Sequence, residues 1–175
     1  MTARIPILSL LVFAAPLLLF SDARAFDGHR RGFVLGFGAG PGHLDFGQEK
    51  ESTWGVQTDL KLGAGLTDQT LLHYTGKQIW HSDHNIAFTE AMPMLGVTHY
   101  LKPEGPSFFL SGAGGAAILA AGIGGEVGGT VGPAGFLGGG YEFARHFQVE
   151  AGVAIMINDP FTLYNFSVTV GILGY

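Results

Sequence analysis

The chain has no cysteine. That excludes disulfides, thiolate metal sites, iron–sulfur clusters and cysteine nucleophiles, and it is compatible with export. Charge is also scarce. Asp, Glu, Lys and Arg together make up 13% of the 175 residues, and acids outnumber bases by 14 to 9. An acidic balance speaks against a nucleic-acid-binding surface. After residue 25 no continuous apolar run is long enough for a spanning helix. Ala113–Val131 comes closest, but glycines and Glu126 break it. Glycine, by contrast, is abundant, with 29 residues, and aromatics reach 12%. There is no G-X-Y period, so this composition points to closely packed β-structure.

The first 25 residues read as a leader. Arg4 supplies charge near the start, and an apolar run covers Ile5–Phe20. Asp22-Ala23-Arg24-Ala25 then ends in Ala-x-Ala, the small-residue pattern that a signal peptidase cleaves. The expected domains are therefore a leader at 1–25 and one folded domain at 26–175.

Within that domain the dominant signal is alternation. On one side of Trp54–Ala64 stand Trp54, Val56, Thr58, Leu60, Leu62 and Ala64; Gln57, Asp59 and Lys61 stand on the other. Period two puts these sets on opposite faces of a strand. Phe147–Ile157 and Tyr164–Ile172 repeat the pattern. Phe33–Gly40, Gln69–Trp80, Met92–Leu101, Ser107–Ile118 and Gly132–Phe143 complete eight segments, each about the 9–11 residues that a tilted strand needs to cross a bilayer. The connections alternate in length. Pro41–Thr53, His81–Ala91 and Leu119–Val131 are long, with Asn158–Pro160 as a shorter fourth. Thr67–Asp68, Lys102–Pro106 and Ala144–His146 are short. Long loops on one side and tight turns on the other mark an outer-membrane barrel. The expected fold is an all-β, eight-stranded, antiparallel up-and-down transmembrane β-barrel. A sheet in lipid must close, and eight strands leave a lumen just wide enough to be filled by side chains. Gly36, Gly38, Gly138 and Gly140 fall on the inner face and leave room there. The Gly122–Gly129 cluster reads as irregular loop.

Gly139-Gly140-Tyr141-Glu142-Phe143 and the aromatic-ended Val168–Tyr175 give the chain a family likeness. It resembles the small eight-stranded outer-membrane barrels, the adhesion-, OmpA-, OmpX- and OmpW-like group. The resemblance implies a bacterial outer-membrane location, contact with outer-membrane lipids, and recognition of the C-terminal strand by the barrel-assembly machinery. Tyr175 departs from the pattern, because its parity is opposite to that of Val168, Val170 and Ile172. A bulge at Gly171 or Gly174 would bring it onto their face. The group includes anchors, adhesins, channels and lipid-modifying enzymes, so the fold does not choose among them.

Alternation sends Gln57, Asp59, Lys61, His73, Thr75, Lys77, Glu142 and Glu150 inward, with Leu71 and Ile79 sharing the parity of Lys77. Opposite charges in a narrow lumen should pair. The leading expectation is a non-enzymatic barrel with a structural or surface-interaction role and a lumen filled by this polar network. The alternative is a narrow solute channel or ligand-binding barrel. His81, Asp83 and His84, with His43 and Asp45 nearby in the fold, are loosely spaced candidates for a metal; no resident metal or cofactor is expected. Ser82 beside His81 and His84 raises a lipid A-modifying hydrolase or acyltransferase, but no deacylase-type His-x-Ser-Asn motif is present. Trp54, Tyr74, Trp80, Tyr100, Tyr141, Phe143, Tyr164 and Tyr175 are expected in the interfacial girdles. Any protein partner would meet the long loops, above all the apolar 119–131 loop.

Overall fold

A computed structural model describes residues 29–45, 52–83, 86–123, 126–158 and 161–175. The leader lies outside the described residues. The described chain forms eight strands: β1 Gly32–Asp45, β2 Ser52–Gly65, β3 Thr70–Asp83, β4 Ile86–Tyr100, β5 Ser107–Ile123, β6 Glu126–Ala144, β7 Phe147–Asn158 and β8 Phe161–Gly174. Each pairs antiparallel with the next, and β8 closes on β1. Closure leaves no strand edge, so the ladder satisfies its own backbone groups without water.

The strands run further than alternation indicated. The segments 41–53, 81–91 and 119–131, expected as long loops, lie largely in the ladder. Pro41↔Val56, Ile79↔Glu90 and Ala120↔Gly129 are all paired. Gly128 and Gly129 are therefore strand residues, not irregular loop. The reason is physical. An apolar-out, polar-in pattern is required only where lipid touches the wall, whereas backbone pairing continues beyond it without that pattern. At the opposite end the short turns are as expected. In the β6–β7 turn His146 takes a φ of 70°, the left-handed conformation that tight hairpins favour. A register shift between Glu142 and Ala144 accompanies it.

The outer wall is apolar and exposed. Phe37, Leu95, Leu110, Leu137, Phe166 and Val170 are each at least half exposed. A belt of this kind around a closed barrel fits hydrocarbon, not water. Trp54, Tyr74, Trp80, Phe143 and Tyr164 also point outward. Tyr100 and Tyr175 do not. They are 0% and 3% exposed and face the lumen, which corrects their assignment to the girdles.

Inside, layers alternate in polarity. Val34, Leu71, Tyr100, Phe109, Leu173 and Tyr175 pack at the turn end, and a second apolar cluster that includes Met92, Met94, Phe136 and Met156 packs towards the hairpin tips. Glycine makes this filling possible. A Cβ at Gly152 would lie 2.5 Å from the Phe136 ring, and Gly140 is crossed by the Phe109 ring.

Candidate functional site: the filled lumen

Between the apolar layers lies a charged one. Gln57, Asp59 and Lys61 alternate inward from β2, Lys77 from β3, Glu150 from β7 and Thr169 from β8. Lys77 Nζ donates to Asp59 Oδ2 at 3.0 Å and lies 3.5 Å from Glu150 Oε2. Lys61 Nζ donates to Glu150 Oε1 at 3.0 Å. The other bonds to Asp59 come from Gln57 Nε2 at 2.8 Å and Thr169 Oγ1 at 2.9 Å. Two ammonium groups thus face two carboxylates, all about 95% buried. Each lysine is also capped by a ring: Lys77 Nζ lies 4.0 Å from the centroid of Phe136, and Lys61 Nζ 5.6 Å from that of Phe109. Aromatic faces attract such cations. His73 joins a side branch, 2.9 Å from Thr98 Oγ1, which is in turn 2.9 Å from Ser111 Oγ. The free volume beside Asp59, Lys61 and Glu150 is about 10 Å³, room for about one water.

Glu142 belongs to a different layer. It sits at the turn end, where Arg30, just before β1, reaches under the barrel. Arg30 Nε donates to Glu142 Oε2 at 3.1 Å, and its Nη2 donates to the same oxygen. Its Nη1 donates to the backbone carbonyls of Asp68, Lys102 and Pro103, each at 3.0 Å. The guanidinium stacks 3.8 Å from the Tyr100 centroid. Tyr175 Oη donates to Glu142 Oε1 at 2.6 Å, and Tyr100 Oη to Gln148 Oε1 at 3.0 Å. One arginine therefore ties the β2–β3 turn, the β4–β5 turn and the end of β6 together across the mouth.

Sequence reasoning did not single out Arg30, which lies outside any alternating segment. Nor did it single out Glu90 or Asn165; Glu90 fell in an expected loop. Both are buried on the inner face. Leu71 and Ile79 share that face with Lys77, so β3 is mixed. Tyr175 keeps the inward parity, since neither pairing of β8 shows a register shift at Gly171 or Gly174. The bulge that would have turned it outward is absent, and its phenol serves the Glu142 network instead.

The described loop candidates stand on different faces of the wall. His81 is on the inner face of β3 at 3% exposure, whereas His43 on β1 packs edge-on against Trp54. The side chains of Ser82 and Asp83, and all of His84, lie outside the described residues. Among the described residues no group of three or more His, Cys, Asp or Glu is placed to hold a metal ion.

No family model and no curated protein matches the chain. Solved structures do match. The barrel superposes on Ail, the attachment invasion locus protein of Yersinia pestis, with a TM-score of 0.62, covering 82% of this chain and 99% of Ail at 13% identity. The chain has the fold of the small eight-stranded outer-membrane β-barrels. Neisserial surface protein A matches this barrel at a TM-score of 0.59, with 13% identity over 81% of this chain and 96% of that one. The outer membrane protein OprG from Pseudomonas aeruginosa matches at 0.51, again with 13% identity, over 83% and 97%. Identity this low shows the barrel's fold alone.

Proposed function

We infer that the chain is an integral outer-membrane protein with a structural or surface-interaction role, and that its lumen is sealed rather than conducting. The leader at 1–25 is removed after Ala25, and outer-membrane lipids contact the apolar wall. The short turns and the Arg30 layer then face the periplasm, and the hairpin tips face outward.

The observation that carries this reading is the stacking of two closed polar layers across a narrow lumen. Three cations, Arg30, Lys61 and Lys77, are matched by Asp59, Glu142 and Glu150. A solute passing through would have to break both layers and cross the apolar one near Phe136. Buried pairs that lose a partner cost several kcal/mol, so transient opening is rare. The surface role rests on the fold neighbours. Ail, by its name an attachment protein, has also been solved in complex with the heparin analogue sucrose octasulfate. None of the neighbours named above is described as an enzyme.

The test is conductance in planar bilayers. The wild-type barrel is expected to give no steps above background in salt at neutral pH. Stable single-channel steps would restore the channel alternative.

A further inference from the structure

The tip side of the lumen combines thioethers with a buried carboxylate. Met92, Met94 and Met156 are 1%, 2% and 0% exposed and pack in one cluster. Apart from Met1 they are all the methionines of the chain. Met92 and Met94, two residues apart on β4, share its inner face. Register brings Met156 into the row of Met94. Met94 pairs with Gly115, Gly115 with Ala134, and Ala134 with Met156. Only Gly115 and Ala134 stand between them in that row, and part of each methionine side chain lies over this wall. A Cβ at Gly115 would lie 3.1 Å from Met94 Cγ, and one at Gly132 would lie 3.4 Å from Met156 Cε.

Two residues before Met92, on the same face, stands Glu90 at 1% exposure. Among the described residues no ion pair includes it, and its Oε2 has no hydrogen-bond partner. The Asn165 amide is also buried on the inner face, and among the described residues neither its nitrogen nor its oxygen has a hydrogen-bond partner. The two lumen lysines are taken up by Asp59 and Glu150. A lone buried carboxylate is costly, and a cation close by removes that cost. Thioethers are soft donors that select soft ions, whereas hard cations take oxygen ligands. With no cysteine in the chain, thioether and imidazole are its soft donors.

We propose that Met92, Met94 and Met156 form a lumen site for a soft monovalent metal cation of the Cu(I) class, with Glu90 as its counter-charge. Methionine used only as flexible filler accounts for the packing. It does not account for Glu90, a buried carboxylate with no ion pair among the described residues, two positions from Met92 on the same inner face.

Ag(I) is the probe, because it has the same softness without the redox chemistry. The full barrel, folded in detergent with ¹³C-labelled methionine methyls, is titrated with Ag(I) in chloride-free buffer. The methyl signals of Met92, Met94 and Met156 are expected to shift together and saturate at one ion per barrel. Met→Leu at all three positions nearly conserves volume and is expected to abolish saturable binding. Glu90→Gln is expected to keep the stoichiometry and weaken binding roughly tenfold. If the triple variant does not fold, Met156→Leu alone decides, with a loss of about tenfold or more expected. No saturable shift in the wild type, or Ag(I) affinity unchanged by the Met→Leu changes, overturns the site. Unchanged affinity in Glu90→Gln overturns the role given to the carboxylate.

Discussion

Glu150→Ala is expected to destabilise the barrel by about 3–5 kcal/mol, the range found when one partner of a buried ion pair is removed. Glu150 accepts from Lys61 at 3.0 Å and sits 3.5 Å from Lys77. Its loss leaves Lys61 buried without a carboxylate, while Lys77 keeps Asp59. Urea unfolding from lipid vesicles, followed by the shift between folded and unfolded bands on a gel, measures the difference. The double variant Lys61→Met/Glu150→Leu gives the sharper result. It removes a charge pair together and leaves Asp59–Lys77 intact, so it is expected to recover most of the loss. Buried pairs replaced by apolar residues of similar volume are often neutral. If the double variant is as unstable as the sum of the two single changes, the residues are not coupled as described.

Arg30→Ala is expected to cost a similar 3–5 kcal/mol for a different reason. The guanidinium pairs with Glu142, bonds three backbone carbonyls and stacks on Tyr100. Its removal leaves Glu142, among the described residues, with the bond from Tyr175 Oη and frees the two turns that Arg30 ties. Arg30→Lys is expected to restore less than half, because a single ammonium lacks the planar fork that serves a carboxylate, several carbonyls and a ring at once. The same unfolding experiment checks both variants. Full rescue by lysine would mean that charge alone matters at this mouth.

The barrel wall was legible because lipid imposes a strict rule on it. Along β2, β3, β6 and β7, parity assigned Asp59, Lys61, Lys77, Glu142 and Glu150 to the inner face, and each is buried there. Legibility failed where that rule stops applying. Glu90 lies in the part of β4 that continues past the lipid-facing pattern. Arg30 lies before any strand, and its role depends on turns that are distant in sequence. Alternation also says which face a residue takes, not which layer. Glu142 was grouped with Glu150, yet it serves the Arg30 network at the mouth. Tyr100 and Tyr175 illustrate a further ambiguity. An aromatic near a strand end suits an interfacial girdle, but a phenol also suits a buried carboxylate or amide, and here the hydrogen bonds to Gln148 and Glu142 decide it.

Everything above requires that the chain be a closed barrel in lipid. The most direct measurement folds it into phospholipid vesicles and compares unheated with boiled samples on a gel. The expected result is a compact, faster-migrating unheated form that floats with the vesicles and resists protease across the strands. A chain that stays soluble without detergent or lipid, with identical migration before and after boiling, would contradict the membrane barrel.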